Sequence, residues 1–230
     1  MLLTSTEFAS QSDLILAVEE DRAIQASLDA ELKSILSGFD LYQISDVKEE
    51  VVSLLAASVV DHSLAMVQSQ SDHYERVRAR QGRYTRFTKW VPDLKPSTIK
   101  PIFEWGISEF YGTLDEAKVD KGVSKVSLAS QDFVARAGKD VVVQTGLMET
   151  KAGKGAIYYA RALTGRENCA FCLMLVGRGA VYLTERTAGE GHKFHAHCDC
   201  QVVPVFTDGE YSKRQQGRID SLIAAQQGTE

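Results

Sequence analysis

The sequence predicts an α+β protein, with a mainly helical N-terminal region followed by a small β-rich, zinc-knuckle-like module. Two observations lead to this fold class. Up to about residue 145, apolar residues recur at spacings of three and four, as on one face of amphipathic helices. Beyond Gly146, glycines punctuate the chain and short runs of β-branched and aromatic residues follow. We expect a helical region over 1–145, a Cys/His metal-binding module over 146–210 and a polar tail over 211–230.

Composition excludes several classes of protein. The apolar fraction of 44% is ordinary and supports a buried core, while the net charge of -5 argues against a chain that coats nucleic acid along its whole surface. No run of about 18 or more apolar residues is present, so we expect no membrane span. The N-terminus lacks the basic start and long apolar stretch of a signal peptide. We therefore expect a soluble protein made in a cytoplasm, where cysteines are more often metal ligands or free thiols than disulfides.

The first helix is predicted from about Ser12 to Leu36. Gly38 should end it, because glycine reaches the left-handed conformation that terminates helices. The apolar face of this helix carries Ile24, Leu28, Leu32, Ile35 and Leu36.

The second helix is predicted to begin near Ser45, a favourable N-cap, and to continue to about Arg80. Acidic residues follow the cap and favour the positive end of the helix dipole: Asp46, Glu49 and Glu50. Its buried side is expected to carry Val51, Val52, Leu55, Val59, Leu64 and Val67.

The rest of the chain is divided by proline and glycine. Prolines make 82–101 a connector, and a short helix is expected between Ser97 and Phe110. A third substantial helix is predicted over Ser124–Val143, with Val126, Phe133, Val134 and Val141 as its apolar residues. Strands are predicted at 157–159, 180–183 and 202–206.

All four cysteines lie between residues 169 and 200, in the pattern Cys169-Ala-Phe-Cys172, a spacer, then His195-Ala-His-Cys198-Asp-Cys200. A Cys-x-x-Cys turn can point two thiolates at one ion, and sulfur and imidazole donors suit zinc. Because five ligands are available for four places, we expect a closed structural site rather than a catalytic one.

The choice among the five ligands stays open. Cys169, Cys172 and Cys198 are the first candidates, and the fourth place falls to His195 or Cys200. His192 and His197 are weaker candidates. The alternatives to a metal site are a disulfide cluster or buried free thiols, and the histidines interleaved with cysteines argue against both.

These residues resemble a phage family. Four motifs occur in order: Gly165-Arg-Glu-Asn-Cys-Ala-Phe-Cys-Leu-Met-Leu, Arg178-Gly-Ala-Val-Tyr, Phe194-His-Ala-His-Cys-Asp-Cys and Pro204-Val-Phe. Together they resemble the head-morphogenesis (Mu F-like) minor capsid proteins of tailed bacteriophages, in the form found in phages of actinobacteria. The helical region resembles that family only in its general sequence pattern.

The resemblance implies a minor virion component of the head interior or portal vertex, assembled in the host cytoplasm. Its expected role is procapsid assembly, DNA packaging or ejection, with the portal, the scaffold or the major capsid protein as partner. Some members of the family are described as capsid maturation proteases, which gives the alternative function: cleavage of scaffold or capsid protein.

Enzyme chemistry is the less favoured interpretation of the sequence. A cysteine held by zinc is not free to attack a peptide, so ligation and nucleophilic catalysis compete for the same atoms. The other two histidines, His62 and His73, lie on charged stretches of a predicted helix, where we expect solvated or capping roles. No GxSxG, HExxH or phosphate-loop motif is present.

A second candidate site is a basic stretch without acidic residues. Tyr84, Phe87 and Trp90 are interleaved with its cations, and such a pattern can contact phosphates and stack on the bases of DNA. The alternative is a solvated helix end followed by aromatic residues that dock into the core, or a surface for an acidic partner protein. The cations are Arg76, Arg78, Arg80, Arg83, Arg86 and Lys89.

Overall fold

The computed structural model describes residues 9–111, 115–154, 157–162 and 201–206. Within these ranges the chain forms four α-helices and a two-stranded antiparallel sheet. The elements in chain order are α1 (Gln11–Ser37), α2 (Ile44–Arg80), α3 (Pro96–Ile107), α4 (Glu116–Lys151), β1 (Ile157–Ala162) and β2 (Gln201–Phe206). The predicted mainly helical region and C-terminal strands are thus confirmed. The predicted strand at 180–183, the zinc-knuckle-like module and the tail lie outside the described residues.

Helix α1 has the predicted extent, but it ends differently. Its N-cap is Ser10, whose hydroxyl accepts a hydrogen bond from the Asp13 backbone N–H at 3.1 Å. Gly38 follows the last turn with φ -76° and ψ -8°, in the right-handed region. The predicted left-handed cap is therefore wrong, and the Gly38 N–H instead bonds to the last carbonyls of the helix.

Helix α2 spans the middle of the bundle. It begins at Ile44 directly after a 3₁₀ turn, Leu41–Gln43, whose Tyr42 N–H donates to the Asp40 carboxylate at 3.0 Å. Because the chain already turns helically there, Ser45 lies inside the helix and is not its cap. The predicted buried side is confirmed except for Leu64, which is exposed.

By length and composition alone, the helical stretch Leu41–Arg80 would be sufficient to cross a membrane. Half of its most apolar window is buried inside the protein, and α2 packs against α1, α3 and α4. A buried core helix meets the same criterion, so its hydropathy alone does not identify a membrane span.

Helix α4 is longer at both ends than the predicted Ser124–Val143, and glycines within it serve close packing. A Cβ added at Gly138 would lie 2.5 Å from Met66 Cγ, and one at Gly146 would lie 2.2 Å from Tyr159 Oη. The helix therefore passes through residue 146 to Lys151. The division at residue 145 into separate regions stays a prediction.

The sheet is buried on both faces. Ile157 pairs with Phe206 at one end, and Ala162 pairs with Gln201 at the other. On one face Ile157 and Tyr159 pack into a cluster with residues of α2 and α4, and the Tyr159 hydroxyl donates to the Val143 carbonyl at 2.6 Å. The opposite face packs against α1 and the end of α2. The strands therefore tie three helices together.

Candidate functional site

The candidate metal ligands fall in one segment of the chain, residues 163–200, which lies outside the described residues. Its flanks are described: β1 ends at Ala162, β2 begins at Gln201, and these two residues pair in the sheet. The segment therefore leaves and rejoins the fold at neighbouring positions. Cys200 directly precedes Gln201, so the last candidate ligand is one peptide bond away from a buried strand.

A buried polar cluster holds the first residue of β2 in place. Lys139 of α4 donates to the carboxylate of Asp21 of α1 at 2.8 Å and to the side-chain oxygen of Gln201. Gln201 and Gln70 each donate a side-chain N–H to the same carboxylate, at 2.9 and 2.7 Å. We call Asp21, Gln70, Lys139 and Gln201 the Asp21 cluster. Its members come from α1, α2, α4 and β2, and all four are buried.

Paired charges of this kind are retained only when their hydrogen bonds are satisfied, since an unpaired buried charge is costly. The Asp21 carboxylate accepts three hydrogen bonds, one of them from the Lys139 ammonium. Because these donors lie on separate elements, the cluster fixes the position of Gln201 relative to the bundle. It is therefore a rigid base for the point at which residues 163–200 rejoin the fold.

His73 lies beside this cluster and is fully buried, so its expected solvated role is wrong. Its Nε2 is 3.3 Å from the Val202 carbonyl oxygen, which makes it the donor of that hydrogen bond. Burial, together with the positive charge of Lys139, lowers the pKa of His73 to about 4. The ring is neutral near pH 7 and supports β2. The buried ladder Met66, Gln70, His73 and Val77 follows helical spacing and was a sequence signal for this placement.

His62, the other described histidine, is half-buried at the α1–α2 contact. Its Nδ1 lies 2.9 Å from the Ser58 carbonyl oxygen and its Nε2 lies 3.2 Å from the Ser27 hydroxyl. It therefore links two helices.

The second buried cluster centres on Arg78 and Glu149. The Arg78 guanidinium donates to both carboxylate oxygens at 2.9 to 3.2 Å, and the Tyr74 hydroxyl donates to the same carboxylate at 2.6 Å. Arg78 also donates to the Arg83 carbonyl at 2.6 Å and to the Thr85 hydroxyl at 2.9 Å. Burial raises the pKa of Tyr74, which stays a neutral donor.

The six cations of the basic stretch have different environments. Arg78 is 4% exposed and serves the fold. Arg76 pairs with Glu20 at 3.3 Å, and Lys89 pairs with Glu75 at 2.8 Å. Arg83 donates to the Lys154 carbonyl and its guanidinium lies over the Phe206 ring. The side chains of Arg80 and Arg86 are exposed.

The aromatic residues of the same stretch also separate into two kinds. Phe87 contacts the Tyr74 ring at a centroid distance of 5.5 Å and lies under the Arg78 guanidinium. Trp90 packs against the cluster formed by α2, α4 and the sheet. Tyr84 is 81% exposed. The docking of Phe87 and Trp90 explains why this connector follows the bundle surface.

Within the part of the chain that the structure describes, no group of three or more His, Cys, Asp or Glu side chains is arranged to hold a metal ion. The metal centre therefore stays a prediction about residues 163–200.

Fold and sequence together define a class of protein: a helical bundle whose two paired strands are joined by a cysteine- and histidine-rich segment. Residues 9–220 match the VG15 protein family, and the chain belongs to that family. It is similar to the Gene 15 protein of Mycobacterium phage D29, with 33% identity covering 36% of this chain and 40% of the relative. The Gene 15 protein of Mycobacterium phage L5 is 30% identical over 45% of this chain and 46% of its own length.

The chain thus spans less than half the length of these curated relatives. No solved structure gives a significant match to it. The family and the relatives identify a phage protein, related to those of phages that infect actinobacteria.

Proposed function

We propose that this protein is a minor head protein of a tailed phage, with one structural zinc ion in residues 163–200. Four of the five candidates Cys169, Cys172, His195, Cys198 and Cys200 would hold the ion. The membership in a phage family supports the viral context, and the resemblance to Mu F-like proteins supports a role in procapsid assembly, DNA packaging or ejection.

One observation carries the proposal: Ala162 and Gln201 are paired neighbours on a buried sheet. The Cys-x-x-Cys half and the His-x-x-Cys-x-Cys half therefore belong to one loop whose ends are already held together. Closing both halves on one ion then costs less chain entropy than in a chain with free ends. Thiolate and imidazole donors match the preferences of zinc. Bound there, the ion would supply folding free energy to a segment rich in glycine and polar residues.

The helical region is the proposed contact with the portal, the scaffold or the major capsid protein. Its helices are long and pack on a common core, and two buried ion pairs join α2 to α4 and α1 to α4. Such a rigid body suits a docking role, because it loses little conformational entropy on association.

The assembly role is tested by following the protein through phage growth. Mass spectrometry of purified virions and of empty procapsids should detect the protein in both. A phage carrying Cys169→Ser and Cys172→Ser should yield fewer filled heads, whereas one carrying His62→Gln, outside the segment, should assemble normally. Absence of the protein from both particles would contradict the proposal.

A DNA contact is a second candidate, favoured by exposed cations beside an exposed ring. Arg80, Arg86 and Tyr84 are exposed, and Arg86 and Lys154 line a cleft of about 400 Å³ at the end of α4. Phosphate contacts give salt-dependent affinity. We expect Arg80→Ala with Arg86→Ala to lower retention of double-stranded DNA on a filter and to reduce its salt dependence. Arg136→Ala, on α4, is the matched control, and equal effects of both changes would contradict the DNA contact.

A maturation protease is the alternative enzyme function. It requires a thiolate free of metal, because zinc-bound sulfur is not available as a nucleophile. The discriminating observation is the capsid protein itself: a protease leaves trimmed scaffold or capsid protein that a single cysteine variant does not produce.

A further inference from the structure

Helix α2 carries an outward stripe in addition to its buried side. Leu54, Ala57, Asp61, Leu64 and Gln68 follow one another at alternating spacings of three and four, and all five are exposed. The two leucines are 44% and 46% exposed, in a helix whose other side packs against three helices. We call these five residues the α2 stripe. Single exposed leucines are normal, but leucines ten residues apart, at the a and d positions of successive heptads, lie on one seam of a helix.

The exposed α2 residues beside the stripe are small. Its exposed neighbours on α2 include Ser53 and Ala65, whose short side chains leave the leucines accessible to another helix. Asp61 is the single charged residue among the exposed positions of α2 from Ser53 to Gln68. A partner helix can therefore approach along about four turns without displacing long charged side chains.

The charges that frame the stripe are acidic. Glu50 precedes it by one turn and Asp61 lies at its centre, while Asp72, one turn after it, lies 3.9 Å from Lys89. Glu31 of α1 adds a further carboxylate near the centre, 3.6 Å from His62 Nδ1. Among the described residues, neither Glu50 nor Asp61 forms an ion pair.

Along α2, the first Lys or Arg before the stripe and the first after it both pair with acids. Lys48 lies 3.9 Å from Glu104, Arg76 pairs with Glu20, and Lys89 contacts Asp72 and Glu75. Within the described chain, the unpaired charges on this side of α2, Glu50 and Asp61, are therefore negative, and the complementary partner is positively charged.

We propose that the α2 stripe docks a basic amphipathic helix of another protein. Leucines of that helix would pack between Leu54 and Leu64, and its lysines or arginines would meet Asp61 and the flanking acids. A second copy of this chain fits less well, because antiparallel or parallel pairing about Asp61 would oppose acid with acid. DNA is repelled by the same charges, and a lipid surface would have to bury the Asp61 carboxylate. The inference rests on the proposed assembly role and names the surface and the partner chemistry that this role would use.

The test uses a synthetic probe with purified full-length protein. The probe is a fluorescent peptide of about three heptads, with leucine at a and d and lysine at e and g. We expect saturable binding by fluorescence anisotropy. A matched peptide with glutamate in place of lysine should bind at least about tenfold more weakly.

Variants locate the binding surface. Leu54→Gln with Leu64→Gln should weaken binding of the lysine peptide by at least about tenfold, since both anchors are lost without a change of charge. Asp61→Asn should reduce the preference for lysine over glutamate peptide. Leu128→Gln, at an equally exposed leucine of α4, should bind as the unchanged protein does. Circular dichroism melting verifies that each variant is folded.

Four results of the peptide experiment would overturn the inference: no binding of the lysine peptide, equal binding of the two peptides, binding unaffected by the leucine changes, or an equal loss with Leu128→Gln. Self-association in sedimentation that disappears in the leucine variant would overturn it in favour of a second copy. Flotation with zwitterionic vesicles that the same variant abolishes would overturn it in favour of a membrane. If the lysine peptide does not bind while the protein is still found in virions, the α2 stripe is not the docking surface and the proposed assembly role stands.

Discussion

Glu149 and Asp21 carry carboxylates into the interior of the bundle, where each meets one buried cation. Removing one partner of such a pair leaves the other charge buried without a counter-charge. The resulting loss in the free energy of unfolding is far larger than the net stabilisation that the intact pair provides. At the scale of single residues, stability therefore depends on a few polar contacts more than on the sum of surface ion pairs.

Glu149→Gln is expected to lower the free energy of unfolding by about 3–5 kcal/mol, because it leaves the Arg78 guanidinium buried without a counter-charge. Urea unfolding measures the change. Asp93→Asn is the matched control, since its partner Lys95 and the carboxylate are both exposed, and it should change stability by less than about 1 kcal/mol. Equal losses of unfolding free energy for the two substitutions would show that the buried Arg78 guanidinium does not require Glu149 as its counter-charge.

His73 predicts a pH dependence. Its pKa is about 4 in the folded protein and near 6.5 when unfolded, so the unfolded chain binds the additional proton between these values. The free energy of unfolding should therefore fall as pH decreases from about 6.5 towards 4. Unfolding curves between pH 7 and 5 should show a weaker pH dependence in His73→Gln, which retains an N–H donor but does not titrate. Identical slopes for both proteins would contradict the buried neutral ring.

These residue-scale features were only partly accessible from sequence. Arg78 falls in a run of cations whose pattern is equally typical of a solvated surface, and its partner Glu149 is remote in the chain and on another helix. His73 lies next to charged residues, so local composition indicated solvent although its helical phase indicated the core. Pairing over such distances requires the packing of α2 against α4.

At the scale of elements, periodicity predicted the helices well and their ends poorly. The extents of α1 and α2 follow from apolar spacing, which long helices repeat many times. Gly146 was taken as a break, yet it lies within α4 because the Tyr159 hydroxyl occupies the space of a side chain. In the sequence, a glycine required for close packing cannot be distinguished from a glycine required for a turn. The distinction depends on the position of the strand that packs against it.

Gly146→Ala is accordingly expected to destabilise the protein by about 1–3 kcal/mol, although alanine is the better helix former. The added Cβ would meet Tyr159 Oη, which is held by its hydrogen bond to Val143. Thermal and urea unfolding would measure the loss, with the exposed Ser124→Ala as a control on the same helix.

A double change makes the Gly146 experiment specific. In a Tyr159→Phe background the obstructing hydroxyl is gone, so Gly146→Ala should cost less than in the unchanged protein. The same cost in both backgrounds would show that the Tyr159 hydroxyl is not the cause.

At the scale of the whole molecule, the chain is a helical bundle whose C-terminal strands anchor the two ends of residues 163–200. The sequence predicted the helical region, two of the strands and the phage context, because apolar periodicity and the ordered motifs are local signals. It did not predict that Ala162 and Gln201 pair, nor that Asp21 and Lys139 clamp Gln201, since these contacts join remote parts of the chain. The prediction of the metal centre itself rests on the type and the spacing of the candidate ligands.

The most direct measurement is therefore the zinc content per chain of the purified full-length protein, by elemental analysis. It is made alongside the Cys169→Ser/Cys172→Ser variant, with His62→Gln as a control outside the segment. We predict one zinc per chain, retained in the control and lost in the cysteine variant together with thermal stability. A protein without metal, with reactive free thiols and an unchanged melting temperature in the cysteine variant, would contradict the structural zinc site and favour a cysteine nucleophile.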